Sequence, residues 1–344
     1  MIEPLMEVKN LRVRFHTEDG MVKAVNGISY TLGPGDIVGV VGESGCGKSV
    51  HALAIMRLIQ IPPGQIESGE VIFDQRDLLK LTAAEMRHVR GRDIAMVFQD
   101  PMTSLNPYLT VEQQMTEVVM YHQKLSHREA LEHSVEMLRA VRIPDAEERI
   151  HQYPHEYSGG MRQRVMIAMG LLCEPDLLIA DEPTTALDVT VQAQIALLIG
   201  ELRKKTRMAM ILITHDMAVV AGICDRIVVM YAGQMVESGT VDDIFYHAHH
   251  PYTLGLLASV PRLDRDAEDD LHAIPRNPPN LLALPGGCSF RDRCVQAQEI
   301  CSRPPPIWSN ERGHRSRCVL EMPDGRMDAG STAEPGAATQ ESAP

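Results

Sequence analysis

Residues 42–49 read Gly-Glu-Ser-Gly-Cys-Gly-Lys-Ser, and their surroundings leave little freedom of fold. Ile37 to Val41 is a β-branched run expected as a buried strand, and the apolar stretch Val50 to Ile59 is expected as a helix. A G-x-x-x-x-G-K-S string between a strand and a helix is the context a phosphate-binding loop requires. Its glycines let successive backbone N–H groups turn inward around phosphate oxygens, and the helix start adds its positive end. Gly42, Ser44, Gly45, Cys46, Gly47, Lys48, Ser49 and Val50 are therefore expected against a nucleoside triphosphate. Lys48 would reach the β- and γ-phosphates, and the Ser49 hydroxyl would ligate Mg²⁺. A tight turn with an incidental lysine gives the same string, but not the strand and helix on either side.

The chain has 344 residues, enough for one large domain or for a core with an appendage. No apolar stretch approaches the ~20 residues of a membrane span, and the N-terminal MIEPLMEVKN lacks the basic and apolar pattern of a signal peptide. A net charge of -13 weighs against general nucleic-acid binding, which calls for a basic face. Of seven cysteines, Cys46, Cys173 and Cys224 fall inside the nucleotide-binding part. That distribution fits a reducing cytoplasm better than a disulfide scaffold.

Upstream of the loop, residues 6–33 alternate in the manner of antiparallel strands, with a turn at Glu18 to Met21. Phe15 could stack on an adenine ring, although the pattern alone favours a sheet-core residue. Downstream, Gly69 to Asp74 reads as a short strand, and Ile94 to Val97 as a buried one leading to Gln99. Gln99 thus lies at the C-terminal end of a strand, where open α/β sheets bind ligands. Residues 110–142 carry helical periodicity and read as a helical insert. Ser158 is placed as the N-cap of a new helix, and Gly159 and Gly160 leave its first N–H groups accessible. Such a helix start is a second potential phosphate site. Leu177 to Ala180 is an apolar strand ending in Asp181 and Glu182, the first suited to hold Mg²⁺ and the second to orient an attacking water. Thr184 to Asp188 reads as a polar turn before a helix over 189–205. His215 follows a strand over 208–214, as a γ-phosphate contact or simply the neighbour of a helix cap.

GESGCGKS, FQDP, YSGGMRQR, LLIADEPTTALD and LITHD occur in the order and spacing of ATP-binding-cassette (ABC) ATPases. The resemblance covers residues 6 to about 240. Further segments, DPMTSLNP, HPYTLGLL and VPRLD to NPPNLLALPGGC, are similar to importer ATPases of the peptide/nickel group, and within it to the D-type subunits of oligopeptide or dipeptide permeases. The resemblance implies an α/β fold: an ABC-type P-loop core with an antiparallel β subdomain and a helical subdomain, followed by a loop-rich, cysteine-containing extension. It also implies head-to-tail pairing of two cassettes, with ATP between one phosphate loop and the other's signature helix. Ser158, Gly159 and Gly160 would then serve the partner's ATP. Lys48, Ser49, Gln99, Asp181, Glu182 and His215 would serve this chain's own, with Ser49, Gln99 and Asp181 around Mg²⁺. Asp188 would cross the interface, and Phe15 matches the adenine-stacking aromatic. The signature opens on Tyr157, where leucine is commonest in the superfamily. Cys46 occupies a variable loop position; a thiol at a helix start is expected to be somewhat acidic and open to alkylation.

From residue 247 the composition changes, giving expected units of 1–246 (cassette, with a helical subdomain over about 102–172), 247–321 (extension) and 322–344 (small, polar, disordered tail). Cys288, Cys294, Cys301 and Cys318 follow a C-x5-C-x6-C-x16-C spacing for which disulfides, zinc and an iron–sulfur cluster compete. A reducing setting disfavours disulfides, and the tight knuckles usual for structural zinc are missing. Irregular spacing suits a [4Fe–4S] cluster, as the resemblance also implies, with zinc the alternative. The extension is expected to lie distant from the nucleotide chemistry. His247-Ala-His249-His250-Pro251 reads as a surface turn rather than a metal site.

By resemblance the chain is the ATPase of an oligopeptide importer. It would sit peripherally on the cytoplasmic face of the inner membrane with a related F-type ATPase, two transmembrane permease subunits and an extracytoplasmic peptide-binding protein. DNA-repair and ribosomal ABC ATPases need a coiled-coil insertion or tandem cassettes, neither of which occurs here. A redox or iron sensor would be at most an added role.

Overall fold

The computed structural model describes residues 3–183, 207–260 and 274–321, with 192, 194, 197 and 200 between them. Asp188, the turn over 184–188 and the tail over 322–344 lie outside these residues, as does most of the helix expected over 189–205. Twelve strands are described: β1 (Met6–Thr17), β2 (Gly20–Leu32), β3 (Ile37–Val41), β4 (Gly64–Phe73), β5 (Arg76–Asp77), β6 (Ile94–Val97), β7 (Leu177–Asp181), β8 (Ala209–Thr214), β9 (Arg226–Tyr231), β10 (Gln234–Thr240), β11 (Trp308–Ser309) and β12 (Arg315–Ser316). They form an antiparallel sheet of order β2-β1-β4-β5 and a larger sheet of order β11-β12-β10-β9-β3-β8-β7-β6. In the larger sheet β9, β3, β8, β7 and β6 run parallel, so the C-terminal ends of β3, β7 and β8 share one edge.

β3 is buried along its whole length because both faces of the large sheet are covered. Ile37 and Val41 face the core that includes the helices of the insert, whereas Val38 and Val40 face the core shared with β1, β2 and β4. That division is the two-residue alternation of a strand. Burying each such side chain contributes roughly 1.5–3 kcal/mol, which makes the strand a firm base for the loop that follows it.

Three expected boundaries move. The helix after the loop is Lys48–Ile55 rather than reaching Ile59, since Arg57 adopts a left-handed φ of 51° and donates to the Leu78 carbonyl. The insert over 110–142 is two helices, Val111–Gln123 and His127–Ala140. Lys124 turns left-handed between them, and Ser126 with Glu129 forms a new capping box. The strand expected from Gly69 begins at Gly64, with Gly69 inside it where the pairing with β1 shifts register.

The histidine-rich segment before Pro251 is not a surface turn. Both His249 and His250 donate their backbone N–H to the Glu237 carboxylate, at 2.6 and 3.1 Å, and His314 Nε2 lies 2.8 Å from it. Glu237 and His250 are buried, and the His250 ring caps the helix Pro251–Ala258 by accepting from Tyr252 N at 3.1 Å. The His249 ring packs edge-on against Trp308, 4.9 Å between centroids. Because β12 pairs with β10 and β11 with β12, the end of the extension continues the large sheet. The signal missed in the sequence was Glu237, an acid within the buried strand β10, where a carboxylate needs partners.

Burial opposes ionisation of Glu237, but the hydrogen bonds from His314 and the two backbone N–H groups outweigh it and hold the carboxyl below its ordinary 4.5. A depressed pKa gives stability that is present above pH 4.5 and is lost as the pH falls through the folded value. Glu237→Gln is therefore expected to cost about 3 kcal/mol at pH 7. In urea unfolding the deficit should shrink as the pH falls below 4.5; a deficit independent of pH would contradict the charge-based account.

Candidate functional site

The phosphate loop leaves β3 at Gly42 and enters its helix at Gly47, both with positive φ, 154° and 103°. A Cβ on Gly42 would stand 2.2 Å from the Met230 carbonyl oxygen, and one on Gly47 would stand 2.1 Å from that of Ala24. Only glycine lets the loop lie this close to two other backbones. Lys48 is 5% exposed and donates to the carbonyls of Gly42 and Glu43 at 2.7 and 3.1 Å. Ser49 Oγ donates to Asp181 Oδ1 at 3.0 Å. Glu182 follows β7 with a left-handed φ of 45°, a costly conformation for a residue with a side chain, while its N–H donates to Ile213 O at 2.8 Å. This backbone places one carboxylate oxygen 3.9 Å from Lys48 Nζ and the other 3.1 Å from Gln99 Nε2, with His215 Nδ1 3.6 Å from that second oxygen.

Six residues predicted from separate strand ends thus meet in one cluster: Lys48, Ser49, Gln99, Asp181, Glu182 and His215. Burial raises the Asp181 carboxyl above its ordinary range, against the lowering effect of the Ser49 hydroxyl. His215 is the residue before the cap Asp216, which accepts from Ala218 N at 2.8 Å, so it borders a helix cap as well as reaching Glu182. Phe15 is half-buried on β1 against the core beneath the antiparallel sheet. Ser158 caps the helix Gly159–Leu171, accepting from Met161 N at 3.3 Å, and is exposed with Gly159 beside it. The unusual Tyr157 is buried and donates to the Arg149 carbonyl at 2.6 Å, a bond that leucine could not make.

The family model of the ABC transporter matches residues 25–185, and that of the oligopeptide/dipeptide transporter C-terminal region matches residues 236–301. The chain is 53% identical to the oligopeptide transport ATP-binding protein OppD of Haemophilus influenzae, over 93% of this chain and 98% of that protein. It is 54% identical to OppD of Escherichia coli over 92% of this chain and 93% of that protein. Identity to the dipeptide transport ATP-binding protein DppD of Bacillus subtilis is 52%, over 93% and 96% of the two chains. The chain belongs to the ABC transporter family. A solved ABC cassette, MJ0796 in a dimeric post-hydrolysis state with ADP and Pi, superposes with a TM-score of 0.62 at 25% identity, covering 69% of this chain and 98% of that one. As an ABC ATPase the chain hydrolyses ATP, and the groups available for that chemistry are the glycine loop, the buried Lys48, the Ser49–Asp181 hydroxyl–carboxylate pair, which could hold a metal ion, and the neighbouring Glu182 carboxylate. Mg²⁺ held there by Ser49 and Asp181 would supply positive charge against that developing on the phosphates.

Two expectations about the site are corrected. The extension is not distant from the nucleotide chemistry, since Arg293 forks onto Glu43 of the phosphate loop at 2.5 and 2.8 Å. Tyr252 Oη likewise accepts from Glu43 N at 2.8 Å. No sequence signal marked these residues, because Glu43 fills a variable loop position and Arg293 lies 250 residues away. Nor is Cys46 acidified by the helix start. Its sulfur is buried, and burial raises the thiol pKa against the lowering pull of Lys48.

In the extension, Cys288, Cys294, Cys301 and Cys318 line one pocket together with His250, Phe290 and Pro305. None of the four is joined in a disulfide among the described residues. Among the described residues no three His, Cys, Asp or Glu side chains are grouped to hold a metal ion. Burial raises the Cys288 and Cys294 thiols, with the neighbouring Cys301 adding to the effect.

Cys46 is expected to react with a maleimide about tenfold or more slowly than an exposed thiol in the native protein, and at an ordinary rate after unfolding. Peptide mapping by mass spectrometry reads both rates; fast native labelling would mean that the loop opens readily.

Proposed function

We propose that this chain is the ATP-hydrolysing subunit of an oligopeptide importer, seated peripherally on the cytoplasmic face of the inner membrane. The observation that carries the reading is an ABC cassette continued by a segment matching the oligopeptide/dipeptide transporter C-terminal region. No helix among the described residues is long and apolar enough to cross a membrane. In this reading, passage of solute falls to separate chains: two transmembrane permease subunits fed by an extracytoplasmic peptide-binding protein.

Within the ATPase, Lys48 contacts the phosphates, and Ser49, Asp181 and Gln99 surround Mg²⁺. Glu182 orients the attacking water, with His215 at the γ-phosphate and Phe15 on the adenine. Ser158, Gly159 and Gly160 complete the ATP site of a second ATPase subunit, a related F-type chain, and Asp188 takes its motif's interface role. Support for the shared site comes from the exposed cap at Ser158 and from the dimeric state of the MJ0796 cassette. In cells lacking this chain, the wild-type protein should restore uptake of a labelled tripeptide. Glu182→Gln should retain ATP binding but lose about 10²-fold or more in hydrolysis, and restore no uptake. Uptake at the wild-type level with Glu182→Gln would remove Glu182 from its role, and no uptake with wild type would remove the peptide reading.

The four cysteines are read as ligands of a [4Fe–4S] cluster. Support comes from their convergence on one pocket and from four soft sulfur donors. Such a centre, when bound, ties together a segment with few large apolar side chains. Protein purified without oxygen should contain about four irons and sulfides per chain, with a visible absorption band that oxygen bleaches. Stoichiometric zinc without iron would overturn the cluster.

A further inference from the structure

Glu43 is the second residue of the phosphate loop, and every polar group it carries is engaged. Its N–H donates to Tyr252 Oη at 2.8 Å, and its carbonyl accepts from Lys48 Nζ at 3.1 Å and from Cys46 N at 3.3 Å. Its carboxylate takes both Nη atoms of Arg293, at 2.5 and 2.8 Å. The Arg293 side chain is only 4% exposed. Its Nε donates to Pro275 O at 2.9 Å, its Nη1 lies 3.4 Å from Tyr231 Oη, and its guanidinium sits over the Tyr231 and Phe290 rings at 5.8 and 6.0 Å. The hydrogen bond to Glu43 is the main influence holding this guanidinium firmly in its charged form. Arg293 ends the short 3-10 turn Arg291–Arg293, and the next residue is Cys294 of the cysteine pocket.

A bidentate guanidinium–carboxylate fork fixes direction as well as distance, which a point charge does not. The Glu43 carboxylate and the carbonyl that receives Lys48 belong to one residue, so holding the carboxylate restricts the peptide on which the lysine rests. The tether crosses from the extension to the catalytic loop without passing through the sheet. We propose that Arg293 is a positioning residue of the ATPase: through Glu43 it sets the phosphate-loop segment on which Lys48 rests, making MgATP binding depend on the fold of the cysteine-bearing extension. It rests on the nucleotide site alone and not on what the cysteine pocket holds.

Equilibrium binding of MgATP is measured on the full-length chain, and steady-state hydrolysis on the complex it forms with its ATPase partner and the permease subunits. Arg293→Met is expected to raise the KM and Kd for MgATP about tenfold or more, while kcat at saturation falls roughly threefold or less. That split separates a loop set in the wrong shape from a protein that has lost active molecules, which would lower kcat with KM unchanged. KM and Kd within about twofold of wild type would overturn the proposal, whatever the melting temperature. A fall in kcat alone would overturn it equally, leaving the pair a mere tie of the extension. Should Arg293→Met not fold, the double variant Glu43→Met with Arg293→Met leaves no lone charge buried and enters the same comparison with the same two outcomes.

Discussion

Backbone lies on backbone at Gly42 and Gly47, and the catalytic geometry depends on that contact. The Met230 carbonyl at the end of β9 and the Ala24 carbonyl in β2 occupy the space where Cβ atoms would stand, at 2.2 and 2.1 Å. The loop is therefore wedged between the two sheets rather than projecting from one. Its exit strand, β3, is buried between parallel neighbours, so the wedge has a rigid base. Lys48 turns back onto the loop's own carbonyls from this position, and the ends of β7 and β8 deliver Asp181, Glu182 and His215 to the same edge. Any residue larger than glycine at position 42 or 47 would have to move a strand, not a side chain.

The extension is joined to the cassette by two buried polar centres of different character. At Glu237 an acid inside a buried strand is satisfied by His314 and two backbone amides, and the contact sits where β12 continues the sheet. At Glu43 the acid belongs to the catalytic loop and the buried partner, Arg293, belongs to the extension. Removing His314 would leave the buried Glu237 carboxylate short of a partner, and removing Glu43 would leave the Arg293 charge stranded away from water. Between them the Tyr231, Tyr252 and Phe290 rings pack at centroid distances of 4.6–5.4 Å and fill the space with apolar surface.

Local pattern was a good guide wherever short-range chemistry decides conformation. Ser158 caps its helix, and β3 and β7 end where the apolar runs end. It failed where burial was decided by distant chain. Cys46 has the helix-start position of an acidic thiol, but packing around it makes desolvation the larger influence. The histidines before Pro251 look like a polar turn until Glu237, Trp308 and His314 arrive from other elements to enclose them.

By itself, the sequence determined the phosphate-binding loop, the family and the identities of the residues at the strand ends, because glycine spacing and apolar runs encode local backbone shape directly. It also led to the expectation that four cysteines converge, and the folded chain brings all four to one pocket. Only the tertiary structure decided that the extension docks onto the catalytic loop, since a bond between residues 43 and 293 leaves no trace in either local pattern. The same holds for the left-handed backbone at Glu182, which neighbouring β8 imposes by accepting its N–H at Ile213. Long-range burial sets which charges must pair, and burial is a property of the folded chain.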